Sequence, residues 1–134
     1  MINIYTSYFS KIKHIRENSA RPCIINIARY TRPEIDKYIN YSIRGFMPSR
    51  ELLLNYKNGL VSEQQYKQTY TTETLNNFDD IGNINIYTIC PKVEWFDSVF
   101  LLCYEKSDSF CHRHILRDDI LNSMYKLNVT ELEV

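Results

Sequence analysis

CIINIA, residues 23–28, follows Arg21-Pro22 and is apolar at every position but Asn26. A strand with one wet face alternates polar and apolar residues, whereas a nearly unbroken run suits a strand buried on both faces. Such strands belong to parallel sheets covered by helices. SVFLLCY, residues 98–104, is a second run of this kind and the clearest strand in the chain. INIYT at 2–6, β-branched or aromatic at most positions, reads as a first strand. Between the first two runs, Phe9, Ile12 and Ile15 recur at helical spacing among basic residues, which predicts a helix over 9–17.

The remaining elements follow from start and stop signals. Pro33 opens a short helical turn through Tyr38, and the stretch from Ile43 to Ser49, with Gly45 and Pro48, is irregular. Ser49 caps a helix to about Tyr56, with Gly59 as its left-handed stop. Ser62 with Gln65 forms a capping box for a longer helix that places Tyr66, Tyr70, Leu75 and Phe78 along it and ends before Gly82. INIYTIC, 84–90, repeats the N-terminal pentapeptide; its alternation predicts a strand, with a helical reading left open. Ser107, Asp108 and Ser109 are candidate caps for a helix over 110–127 with Ile115, Ile120, Leu121, Met124 and Leu127 as its stripe, and NVTELEV closes with a strand. Strands alternating with helices predict one α/β domain over 1–134, a layered fold with a mainly parallel sheet.

Composition narrows the partners. Sixteen basic and sixteen acidic residues leave a net charge of zero, so no global field draws the chain to nucleic acid or an anionic membrane, and any anion site must be local. No apolar run approaches the roughly 18 residues of a membrane span, and MINIYTSYFSKIK lacks the pattern of a signal peptide. We expect a cytoplasmic protein. The four cysteines, 23, 90, 103 and 111, are far apart in apolar surroundings and are expected to be reduced. Eleven tyrosines and only three glycines suggest an AT-rich coding sequence of bacterial or phage type. Assembly into a homo-oligomer stays open.

In parallel α/β sheets, ligands bind at the carboxyl ends of the strands. Those ends carry Tyr5, Ser7 and Tyr8, then Arg29 and Tyr30, then Cys103 and Glu105 followed by Cys111, His112 and Arg113. We expect these groups to converge. A helix start already carries partial positive charge that disfavours bases by a few tenths to about 1 kcal/mol, so His112 and Arg113 there, with Arg29 nearby, predict a site for an anion such as phosphate. The alternative is a structural network in which Glu105, Asp108 and Asp118 neutralise these bases. Arg113→Lys separates the two. A ligand contact predicts a binding loss on the order of 1.5–3 kcal/mol with ligand-free stability unchanged, and a structural tie predicts the reverse. His112 and His114 are two apart and point to opposite sides of a helix, and no CxxC occurs, so neither metal nor cofactor is expected. Cys111 at a helix start beside His112 has the setting of a nucleophile, but packing as a small hydrophobe is the commoner state. Glu105 or His112 could serve as general acid or base.

LLCYEKSDSFCHRHIL, 101–116, resembles the signature of the domain-of-unknown-function family 488: an apolar strand, Leu-Cys-x-Glu, a short acidic loop, then Cys-His-Arg opening a helix. IYTSYF at 4–9, Ile27-Ala28-Arg29, MPSRELLLNYKNG at 47–59 and the spaced Tyr66 and Tyr70 extend the likeness over nearly the whole chain. The strand end written Asp-x-Arg in many members is Ile-Ala-Arg here. The resemblance implies a compact α/β domain and points to Tyr5, Ser7, Arg29, Cys103, Glu105, Cys111, His112 and Arg113, with no settled reaction. The reading that best joins these observations is binding of a nucleotide-like, phosphate-bearing small molecule, for example by a phage protein acting as an anti-defence sponge for a host immune signalling nucleotide. An enzyme of hydrolase or glycosidase type acting on a nucleotide or nucleic-acid base, through Glu105, His112 or Cys111, is the alternative. A nucleic-acid binder ranks third, for want of a basic stripe.

Overall fold

The computed structural model describes residues 2–78, 84–106 and 109–133. Five strands, β1 (Asn3–Tyr8), β2 (Pro22–Asn26), β3 (Tyr41–Ser42), β4 (Ser98–Cys103) and β5 (Val129–Glu131), form one all-parallel sheet in the order β3-β2-β4-β1-β5. The two apolar runs lie side by side: β4 pairs with β2 from Pro22↔Ser98 to Asn26↔Leu102, and with β1 from Asn3↔Ser98 to Tyr8↔Cys103. Val99, Leu101, Leu102 and Cys103 are fully buried, as the absence of alternation predicts. β1 runs two residues past its expected end, because Ser7 and Tyr8 continue the ladder opposite Leu102 and Cys103. Ser7 and Tyr8 therefore stand within the strand rather than beyond it.

The helices are α1 (Ile12–Asn18), α2 (Pro33–Asp36), α3 (Arg50–Lys57), α4 (Glu63–Asn77), α5 (Ile86–Ile89) and α6 (His112–Ile115). The right-handed crossover rule puts α1 and α2, on connections that run toward β3, on one face of the sheet. It puts α3, α4 and α6, on connections that run the other way, on the opposite face. The packing of α4 against both α3 and α6 agrees.

Ser49 accepts from Leu52 N at 3.1 Å, and Ser62 and Gln65 close their capping box at 3.1 and 2.7 Å. Gly59 takes φ 73°, the left-handed stop after α3. α4 then clamps the irregular stretch before α3. Glu73 accepts from Ser49 N and Oγ at 3.0 and 2.6 Å, and Tyr70 donates to Phe46 O at 2.6 Å.

Two expectations need correcting. Residues 84–90 form no strand; Asn85 caps the single turn α5 by accepting from Tyr87 N and Thr88 N at 2.9 and 3.2 Å. The long helix over 110–127 is α-helical for one turn only, widens into a π-helix over Leu116–Asn122 and gives way to turns. Ile115, Leu116, Ile120 and Leu121 are buried, so near-five-residue spacing replaces the α stripe, and Met124 is left exposed. The expected cap residues Ser107 and Asp108 lie outside the described residues, and α4 ends at Asn77, ahead of Gly82 as expected.

Candidate functional site

The carboxyl ends of β2 and β4 open into a cleft of about 210 Å3 lined by Arg29, Tyr30, Tyr56, Tyr66, Tyr104, Glu105, Phe110, Cys111 and His112, with Ala28, Pro48 and Leu53 completing it. Its walls are mainly rings. Tyr56, Tyr66 and Phe110 pack with centroids 5.1–5.2 Å apart, Tyr30 is 60% exposed at the rim, and Arg32 lies over the Tyr104 ring. Arg29 donates Nε–H to the carbonyl of Pro48 at 2.9 Å, within the stretch that α4 holds. Among the described residues its guanidinium has no carboxylate partner, so it is the basic group of the cleft whose charge remains available.

His112 is built differently. Its ring is buried, and Nε2–H donates to the Ile27 carbonyl at 2.7 Å, which leaves Nδ1 as the bare nitrogen, 3.7 Å from Cys111 Sγ. Burial first of all pushes its pKa down to about 4, so the imidazole is neutral at physiological pH. The strand end Ile27-Ala28 thus serves this site through a backbone oxygen.

Arg113 is fully buried and spends every arm on the protein. Nε and Nη2 make a fork onto Glu131 of β5 at 3.1 and 2.9 Å, while Nη1 donates to the Glu105 carbonyl at 2.7 Å and to Cys103 Sγ at 2.9 Å. Glu131 also accepts from Arg117 at 3.2 Å and from Thr6 Oγ1 at 2.7 Å, and Tyr8 lies against Arg113 with its ring centroid 5.8 Å from Cζ. A structural network was the alternative that the sequence left open, but the acid paired with Arg113 is Glu131 rather than the Glu105 carboxylate or Asp118, which pairs with Arg117, and Asp108 lies outside the described residues. With His112 neutral and Arg113 paired, the free positive cluster expected at the helix start reduces to Arg29.

Cys111 caps α6, its sulfur accepting from Arg113 N at 3.4 Å. The same sulfur lies 2.8 Å from Cys103 Sγ and 3.4 Å from a Glu105 carboxylate oxygen. The hydrogen bond with Cys103, then burial, holds its thiol far above the usual range, which disfavours the thiolate a nucleophile needs.

A family model described as the active DUF488-N3 subclade, DUF488-N3a, matches residues 7–124. The chain belongs to the DUF488 family. No curated protein and no solved structure is detectably similar.

Of the expected site residues, this DUF488 chain brings Arg29, Tyr30, Glu105, Cys111 and His112 to one cleft and sets Cys103, Arg113 and Tyr8 close around it. Tyr5 stacks on Phe100 at 5.3 Å and does not line the cleft. Ser7 is fully buried, and its hydroxyl finds no partner among the described residues. Sequence reasoning missed Glu131, although an acid inside a strand that ends at the ligand edge was a usable signal. It also missed Tyr56, Tyr104 and Phe110 as cleft walls. A wider groove of about 580 Å3 adjoins Cys111 on the other side, where Glu63, Asp118 and Asp119 outnumber Lys67. That charge balance does not suit an anion.

Proposed function

We propose that this DUF488 domain binds a nucleotide-like, phosphate-bearing small molecule in the cleft at the carboxyl edge of the sheet. The observation that carries the reading is the juxtaposition of ring-lined walls with Arg29, a guanidinium that no described carboxylate neutralises. A planar base suits the faces and edges of Tyr30, Tyr56, Tyr66 and Tyr104, and an Arg fork suits phosphate. The modest volume favours a mononucleotide or a single base-bearing end over a larger ligand. Capture without turnover is the form in which a phage-encoded chain would sequester a host signalling nucleotide.

A second reading, an enzyme acting on a nucleotide or base, is supported by the Glu105 carboxylate at the same cleft and by the description of the matching subclade as active. Glu105 is then the general acid or base, because the Cys111 thiol is held protonated and a neutral His112 with a pKa near 4 is a weak base.

Thermal shift with mononucleotides, nucleosides and inorganic phosphate, against sodium chloride at equal ionic strength, tests binding, since a ligand of the folded state alone raises the melting temperature. Nucleotides should stabilise more than their nucleosides. Arg29→Gln should weaken nucleotide binding by about 1.5–3 kcal/mol, the range for hydrogen bonds to charged groups. Equal shifts from nucleoside, nucleotide and salt would refute the anion site. Chromatography of the same mixtures decides between capture and turnover.

A further inference from the structure

Sequence spacing argued against a metal because the two histidines beside Cys111 cannot act together. The fold supplies a different third donor. Cys103 at the end of β4, Glu105 two residues on and Cys111 at the start of α6 bring two sulfurs and a carboxylate oxygen within 4.8 Å of one another. We propose that Cys103, Glu105 and Cys111 form a zinc site with one coordination position open to the cleft.

Four features support it. First, the donor set matches the ion, since zinc takes thiolate at about 2.3 Å and carboxylate at about 2.0–2.2 Å in a tetrahedron. The Cys111–Glu105 separation of 3.4 Å already suits one ion between them, and the sulfurs, at 2.8 Å, need only part by a small side-chain rotation. Second, a cation stands behind the site. Two thiolates and a carboxylate around a dication leave one negative charge, and Arg113, whose fork also holds Glu131, donates Nη1 to Cys103 Sγ at 2.9 Å, as a group behind a ligand does when it orients that ligand.

Third, the site is poised for a cation. Two thiols and a carboxylate crowd together, with Cys111 Sγ 2.8 Å from Cys103 Sγ and 3.4 Å from a Glu105 oxygen, a cluster that a dication between them would hold together. Zinc takes the sulfurs as thiolates, their protons passing to solvent as it binds. Fourth, Glu105 and Cys111 both line the cleft, so the fourth position faces the space where a ligand would sit. Three protein ligands with an open fourth position are the arrangement of a catalytic zinc rather than a closed structural one. There the ion would hold a phosphate oxygen or a water.

The proposal goes beyond the ligand reading and is independent of it, because metal analysis needs no nucleotide. Protein purified with zinc under reducing conditions and desalted should retain one zinc per chain by elemental mass spectrometry. Chelator-treated protein titrated with cobalt(II) should develop a thiolate-to-cobalt charge-transfer band. Glu105→Gln changes an exposed side chain and should leave the fold intact while weakening zinc by at least about tenfold, the lower end of what even outer partners of a metal site cost. Cys111→Ser should abolish the cobalt band, and Cys90→Ala, in the separate buried pair with Cys23, should leave it unchanged. Protein with all four thiols free but no zinc and no cobalt band overturns the site. So does zinc affinity unaltered by Glu105→Gln or Cys111→Ser.

Discussion

Arg113→Lys keeps the charge of the buried cation and removes its fork. In the parent, four donor–acceptor contacts radiate from one plane: two to Glu131, one to the Glu105 carbonyl and one to Cys103 Sγ. A lysine ammonium placed to meet Glu131 cannot also span the distance to Glu105 O, so that carbonyl and the sulfur lose their donor. Hydrogen bonds to charged groups contribute about 1.5–3 kcal/mol each but are not additive, and removing one partner of a buried pair outright costs about 3–5 kcal/mol. Retained charge, and the second cation Arg117 at 3.2 Å from Glu131, hold the loss below that upper figure. The expected destabilisation is about 2–3 kcal/mol, which for a chain of this size lowers the melting temperature by roughly 3–5 °C per kcal/mol. Urea unfolding of the ligand-free protein measures it, with an unchanged slope showing that only stability moved. In chelator-treated protein, ligand affinity per folded molecule should be unaltered. A variant within about 0.5 kcal/mol of the parent, the usual range for an inconsequential surface change, would show that Arg113 is not a structural tie and would return it to the ligand.

His112 gives a pH prediction. Its folded pKa lies near 4, below the unfolded value of 6.5, so folding favours the neutral ring; stability is complete above pH 6.5 and declines as the pH falls toward 4, by up to about 3 kcal/mol. In chelator-treated protein, His112→Gln should flatten that part of the stability profile, and a parallel decline in parent and variant would assign the acid sensitivity elsewhere. Ser49→Ala removes the cap of α3 and leaves the Glu73 carboxylate one partner short, which should cost about 1–2 kcal/mol in urea unfolding; a neutral result would mean that Glu73, not the cap, holds this helix start.

The sheet was legible because its evidence is local: an unbroken apolar run has few homes other than a strand covered on both faces, and 23–28 and 98–104 found theirs as neighbours. The repeated pentapeptide INIYT shows where local evidence ends. At 2–6 its middle residues pair with β4 and β5, whereas at 84–88 the same Asn turns inward as a helix cap, so the partner rather than the propensity decides. The site was legible as a set of residues but not as a division of labour. Which arginine is committed to the protein depends on Glu131, 18 positions downstream of Arg113, and no spacing rule connects the two. The cysteines were judged against histidine partners adjacent in sequence, whereas the group that the fold brings beside both of them is a glutamate on the other side of a loop.

The π-helical stretch after α6 carries a consequence for how such chains can change length. A turn that closes five residues back holds one residue more than an α-turn, so deleting a single residue within 116–122 allows ordinary α-helix to form. Everything before the deletion, including Cys111, His112 and Arg113, keeps its place on the sheet, and the segment beyond it keeps nearly its direction toward β5, because the lost residue comes out of the widened turn. Family members one residue shorter in this segment should therefore retain the cleft and the approach to the last strand. The wide turn has the geometry to absorb a one-residue change of length one helical turn away from Cys111, His112 and Arg113.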